Sequence, residues 1–235
     1  MTNELPSRRV RTQLGDEAAS FVRDQITSGT LTPGSHVRPE VVAAELGISS
    51  TPAREALQAL RAEGFLDLAP RRGFTVAKVT GDDIRDVFLV QSMVAGELAA
   101  RTAARISPAQ MARLDEIHES LTRSADAGDL TALEEWNHQF HRAINLAAEA
   151  PKLAWVLKLS SRYAPRRFYA TIEGWPETTV TDHAGLLEAI RSHDVEGARS
   201  AMVEHVLHAG EQLARHMDER LNTAGVAEAG ELSVV

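Results

Sequence analysis

From Ser49 to Gly64 the chain reads SSTPAREALQALRAEG, with Ala53, Ala56, Leu57 and Leu60 at i, i+3, i+4 and i+7. That spacing predicts one apolar face of a helix. Arg54, Gln58 and Arg61 fall on its opposite side. Ser49, Ser50 and Thr51 are N-capping residue types, and Pro52 suits a first turn, where its missing N–H matters little. Upstream, Leu14, Ala18, Val22 and Ile26 repeat every four residues, predicting a helix over about 13–28 that Gly29 stops. Residues 1–11, with Arg8, Arg9 and Arg11, read as a polar, basic tail. Leu31-Thr32-Pro33-Gly34 reads as a turn. Pro39 opens a second helix with Val42 and Leu46 inward, and Gly47 ends it. Two short helices joined by a tight turn containing Gly form a helix-turn-helix. After Gly64 the period shortens: Phe65 to Leu68 and Phe74 to Val76 read as strands flanking Ala69-Pro70-Arg71-Arg72-Gly73, a hairpin wing.

Beyond Lys78 the pattern is helical almost throughout. Thr80 with Asp83, and Ser107 with Gln110, have capping-box spacing. Helices are predicted over 82–105, with Ile84, Val87, Phe88, Val94 and Leu98 inward, and over 108–127, with Leu114, Ile117 and Leu121 inward. Asp129 caps 130–149, Pro151 opens a helix to about Ala170, and 177–192 and 195–221 complete the set. About six helices with short links make an antiparallel bundle. The expected fold is therefore mainly α. A winged helix-turn-helix with a small β-hairpin wing occupies 1–79, an all-α bundle 80–221, and a flexible tail 222–235.

The chain has no cysteine, hence no disulfide framework and no thiolate metal site. No apolar run approaches the ~20 residues of a membrane span, and no apolar h-region marks a signal peptide. A cytoplasmic protein without membrane contact is expected. The net charge of −8 is unevenly distributed. Residues 1–80 carry 10 Lys and Arg against 9 Asp and Glu, whereas 81–235 carry 15 against 24. Any affinity of the first part for nucleic acid must come from local placement of its cations.

Two sets of residues carry candidate chemistry. A short helix with an Arg and Gln face can read the DNA major groove, with Arg forked on guanine and Gln on adenine. Arg71 and Arg72 at the wing tip can reach the backbone or the minor groove. The alternative is an ordinary surface helix and loop with solvated charges. The second set is polar residues on apolar stripes. Asn137 and His141 share one with Leu133, Phe140, Ile144 and Ala148. His183 shares one with Leu186, Leu187 and Ile190, and His205 one with Ala198, Met202, Ala209 and Leu213. Three imidazoles and an amide oxygen, if they converge, suit a divalent metal ion of the Zn, Ni or Mn type. Hydrogen-bonded core histidines are the alternative. His118 is a weaker inward candidate, while His36, His138, His193, His208 and His216 read as solvated or rim residues.

The run ITSGTLTPGSHVRPEVVAAELGISSTPAREALQALRAEGFLDLAPRRGFTV resembles the winged helix of the GntR family of bacterial transcription regulators. The resemblance implies DNA contacts at Arg54 and the wing Gly73. Two positions depart from the family pattern. Ser50 stands where Arg is usual, which removes a bidentate guanine contact. The second helix often carries a basic residue near Glu40, and here Arg38 lies two residues away. The full DNA-binding set expected is Arg38, Ser49, Ser50, Thr51, Arg54, Gln58, Arg71, Arg72 and Gly73.

The runs WNHQFHRAI and DHAGLLEAIRSHDVEGARSAMVEH extend the likeness to the FCD ligand-binding domain of the FadR subfamily. It implies a metal held by Asn137, His141, His183 and His205, with Asn137 where many members have Asp. Ser92 and Gly96 stand where members often show Arg and Glu. One winged helix buries little surface and palindromes match two-fold symmetry, so a homodimer on an inverted-repeat operator of double-stranded DNA is expected, with repression the commoner mode in the family. A metal with an open coordination position would attract a small carboxylate effector. Arg162, Arg166 and Arg167 could hold a second acidic group of that effector; a solvated basic patch is the alternative. Two other readings are weighed. One keeps DNA binding but makes the histidine site empty or structural. The other is a metal-dependent hydrolase, against which stand the lack of HExxH and the poor angular placement of Glu134 and Glu135.

Overall fold

The computed structural model describes residues 8–69, 73–161, 172 and 174–231, with side chains described over 13–69, 73–161, 172 and 174–219. The chain divides into two compact units, Met1–Val79 and Thr80–Val235.

In the first unit α1 (Arg8–Thr27), β1 (His36–Val37), α2 (Pro39–Leu46), α3 (Ser50–Ala62), β2 (Leu66–Ala69) and β3 (Gly73–Val76) follow in order. α1 packs on α3. Ala18 and Val22 of α1 and Ala53, Ala56, Leu57 and Leu60 of α3 are buried, so the apolar stripes face inward as their spacing predicts. α1 starts at Arg8, several residues before the expected start near 13; Arg and Gln are good helix formers and no breaker intervenes. Gly47 closes α2 in the left-handed region (φ 64°), where its N–H bonds back to the carbonyls of Ala43 and Ala44. The wing is more than a hairpin. β3 lies between β2 and β1 in a three-stranded antiparallel sheet, with His36 opposite Thr75 and Val37 opposite Phe74. A two-residue strand is too short to show a period, so β1 was not expected. Arg23 and Glu63, paired at 2.7 Å, tie α1 to the end of α3.

The second unit holds α4 (Gly81–Arg105), α5 (Pro108–Asp126), α6 (Leu130–Ala147), α7 (Pro151–Ser160), α8 (Trp175–Arg191) and α9 (Val195–Glu231). Both expected capping boxes form: Thr80 Oγ1 accepts from the Asp83 amide, Ser107 Oγ from the Gln110 amide, and the partner side chains reach back. Asp129 caps α6 by accepting from the Ala132 amide. The expected helix from Pro151 to about Ala170 is described only as α7; its remainder lies outside the described residues. α9 runs to Glu231, past the expected start of a tail at 222; Asn222 to Glu231 is weak helix sequence but holds no proline that would break the run.

The bundle core joins Ala95, Ala99 and Ala103 of α4 to Leu114 and Ile117 of α5, Phe140 and Ile144 of α6, Leu186, Leu187 and Ile190 of α8 and Met202 of α9. α4 and α9 approach closely at two glycines. A Cβ on Gly96 would lie 2.7 Å from Val203 Cγ2, and one on Gly210 2.6 Å from Phe88. At the positions of that Arg and Glu pair, Ser92 is buried with its hydroxyl bonded to the Leu89 carbonyl, and Gly96 lies against Val203 and the Arg199 carbonyl. Among the described residues no helix is long and apolar enough to cross a membrane.

Candidate functional site

α3 buries Pro52, Ala53, Ala56, Leu57 and Leu60 and turns Ser49, Ser50, Thr51, Arg54 and Gln58 to solvent. Ser49 occupies the N-cap position, yet its side chain makes no capping bond. A concave surface beside this helix is lined by His36, Arg38, Pro39, Glu40, Arg54, Gly73 and Phe74. Three of the expected DNA contacts, Arg38, Arg54 and Gly73, therefore border one hollow. Gly73 has φ 84°, a backbone shape a side chain would strain, and this sets the corner where the wing re-enters the sheet. Arg54 is loosely paired with Glu40 at 3.6 Å, both side chains well exposed. Sequence reading set His36 aside as solvated; its place on the hollow comes from pairing with Thr75 across β1 and β3. Arg71 and Arg72 lie outside the described residues.

In the second unit, α6, α8 and α9 bring His141, His183 and His205 together, one ligand nitrogen from each lying within 4.8 Å of the others. His141 Nε2 and His205 Nε2 are 3.2 Å apart. Nitrogens sharing a tetrahedral ion at about 2.0–2.1 Å lie roughly 3.3 Å from one another. One pair already has that spacing, and the third needs a modest closure. His183 is fully buried, stacks on Phe140 with ring centroids 4.0 Å apart, and has neither ring nitrogen hydrogen-bonded among the described residues. Buried polar atoms left unpaired are rare in folded proteins. Asn137 lies one turn before His141 on α6, and its Oδ1 is also buried without a partner among the described residues. The three clustered imidazoles are donors of the type a divalent cation takes, His183 leaves both its nitrogens unbonded among the described residues, and the Asn137 oxygen is a further buried donor on α6.

Electrostatics favour the form that ligates. Burial, then the neighbouring His205, pushes His141 down to about 3. Burial also drives His183 well below its ordinary value. Both rings stay neutral, which metal binding requires. His118 on α5 has its ring centroid 6.3 Å from that of His183 and a buried, unbonded Nδ1, and burial lowers it too. Asp182, which sequence reading missed, accepts from His205 Nδ1 at 3.2 Å and His208 Nδ1 at 3.3 Å. His205, then His208, holds its carboxyl below the usual range against the opposing effect of burial. Only the neighbouring His183 hinted at Asp182. Arg162, Arg166 and Arg167 lie outside the described residues.

A winged helix followed by an all-α bundle with a polar cluster in its core is the architecture of a DNA-binding module joined to a helical domain. Residues 14–76 match the model described as bacterial regulatory proteins, gntR family, and residues 86–208 match the FCD domain. The chain belongs to the GntR family of transcriptional regulators and carries the FCD domain. It is 28% identical over 188 residues to the HTH-type transcriptional regulator McbR of Escherichia coli, covering 78% of this chain and 85% of McbR. It is 27% identical over 210 residues to a probable D-xylose utilization operon transcriptional repressor of Paenarthrobacter nicotinovorans, covering 85% and 88%. The solved structure of E. coli McbR superposes with a TM-score of 0.67 at 26% identity, covering 86% of this chain and 98% of that one. A putative GntR regulator from Rhodococcus, at 21% identity and a TM-score of 0.60 over 86% and 98%, shares the fold.

Proposed function

We propose that this chain is a DNA-binding repressor that acts as a homodimer on an inverted-repeat operator and releases it when a small carboxylate effector enters a metal-containing bundle. The observation that carries the sensor reading is His183, fully buried with both ring nitrogens unbonded among the described residues and two further imidazoles beside it. Asn137, His141, His183 and His205 are the residues that would hold a divalent cation, which would act as a Lewis acid toward a carboxylate oxygen. The four donors are neutral, so they leave the cation's charge for an anionic ligand to balance. Arg162 and Arg166 bind the effector's second acidic group.

On the DNA side, Arg54 and Gln58 face base edges, and Ser49, Ser50, Thr51, Arg38, Arg71, Arg72 and Gly73 contact phosphate and groove walls. One winged helix buries little surface, and two-fold symmetry matches a palindrome, which supports the dimer. Repression is supported by the relative named as a repressor. The relatives matched are regulators, in keeping with a sensor that does not turn over its ligand, and the chain acts in the cytoplasm.

Metal analysis of protein purified without an affinity tag, compared with His141→Ala, tests the sensor reading. About one ion per chain, lost in the variant, is expected. Absence of metal from both would overturn it in favour of a second reading, a hydrogen-bonded core cluster. The 3.2 Å approach of the His141 and His205 Nε2 atoms favours that alternative, since one neutral ring can donate to the other.

A further inference from the structure

Asp182 and His183 are neighbours on α8, about 100° apart around the helix. His183 enters the core, while the Asp182 carboxylate stays at the seam between α8 and α9, its side chain 19% exposed. There Asp182 Oδ2 lies 3.2 Å from His205 Nδ1 and 3.3 Å from His208 Nδ1. An ionised carboxylate has no proton to give, so each of these ring nitrogens must carry its proton and donate. A neutral imidazole protonated at Nδ1 has its lone pair at Nε2. In His205 that is the atom facing His141 Nε2.

We propose that Asp182 is the positioning residue of the bundle's metal site. It fixes His205 as the Nδ1–H tautomer, aims its Nε2 lone pair at the cation, and supplies beside the site the negative charge that Asn137 and three imidazoles lack. The role rests on the metal reading above. Carboxylates that hold the far nitrogen of a ligating imidazole fix its tautomer and ring orientation and raise its basicity. His208, exposed on the solvent side, donates to the same oxygen and holds the carboxylate toward α9. A ligand set without an anion depends on such a partner more than one containing Asp, because no other charge in it offsets the ion.

The test uses the full chain, stripped with a chelator and titrated with Zn²⁺ against a chromophoric competitor. The tautomer of His205 in the metal-free protein is read from long-range ¹H–¹⁵N correlations of the imidazole ring. The unaltered protein is expected to bind one Zn²⁺ per chain and to show His205 protonated at Nδ1. Asp182→Asn should bind the same number of ions with about 10–100-fold weaker affinity. Its amide can accept from or donate to Nδ1 and carries no charge, so the share of His205 protonated at Nδ1 should fall, and Co²⁺ in place of Zn²⁺ should show an altered visible absorption spectrum. Unchanged affinity in Asp182→Asn overturns the proposal, and so does an Nε2–H tautomer in the unaltered protein. An unaltered protein that binds no Zn²⁺ overturns the metal reading and this role with it.

Discussion

Asn137 is the residue whose identity most affects the chemistry of the bundle. Its amide oxygen is a neutral donor, so a divalent ion held by Asn137 and three imidazoles would meet no formal charge within its own ligand set, which would favour an anionic ligand beside it. Asn137→Asp places one negative charge there at nearly unchanged volume. It should tighten metal binding at least tenfold and weaken carboxylate uptake by a similar factor, both measurable by calorimetry on metal-loaded protein. Tighter metal with unchanged carboxylate affinity would place the effector away from the ion. On the DNA side, Arg54 must leave Glu40 to reach a base, but an exposed pair at 3.6 Å resists this weakly. Arg54→Ala should weaken operator binding by about 1–3 kcal/mol, while Glu40→Gln should strengthen it several-fold at low salt; a gel-shift titration reads both. The inward histidines were legible because each lies on an apolar stripe of its own helix. Asp182 was not, because its partner His205 lies across the α8–α9 seam, where no local period records the contact.

At the scale of elements, α4 and α9 form a seam closed by glycine and rimmed by charge. Alanine in a helix is favoured over glycine by about 1 kcal/mol, yet a Cβ on Gly96 meets Val203 at 2.7 Å and the Arg199 carbonyl at 3.2 Å. Overpacking of this kind costs about 1–3 kcal/mol, so Gly96→Ala should lower the urea midpoint despite its better propensity. A raised midpoint would mean that the two helices separate easily. The rim is pH-sensitive. Arg85, then Arg215, donates to Glu211 and holds it down to about 2. Its folded value lies below the ordinary 4.5, so its contribution is complete above about pH 4.5 and is lost as pH falls toward 2. Both partners are largely in water, so the effect is small and screened by salt. Glu211→Gln should show a flatter fall in urea midpoint between pH 5 and pH 3 than the unaltered chain, and the difference should shrink at high salt. Most element ends were legible because caps are local chemistry: Thr80, Ser107, Asp129 and Gly47 each act within four residues. β1 escaped because it is defined by its partner β3, some forty positions away. The end of α9 escaped because Asn222 to Glu231 is poor helix sequence without a definite stop.

For the whole molecule, the proposed function is a coupling between two events, and coupling has a form that can be tested. An effector that changes operator affinity by some factor must have its own affinity changed by operator DNA by the same factor. An effector that binds the DNA-competent and DNA-incompetent states equally would shift nothing, however tightly it binds. Replacing His183 and His205 together by Ala removes two of the three imidazoles and should abolish metal retention. His183 gives up no hydrogen bond among the described residues, whereas His205 gives up those to Asp182 and His141, so the urea midpoint of the variant is measured beside its affinities. The doubly substituted chain should bind operator with an affinity close to that of the unaltered, effector-free protein, because Arg38, Arg54, Gln58 and the wing belong to the first unit. The carboxylate that releases the unaltered protein should no longer release it. Operator titrations with and without effector, run on both proteins at one salt concentration, measure all four affinities of the cycle. Equal effector response in both proteins would remove the histidine cluster from the switch. Loss of operator binding in the variant without effector would mean that the metal holds the DNA-competent state itself, and would reverse the order of events proposed here.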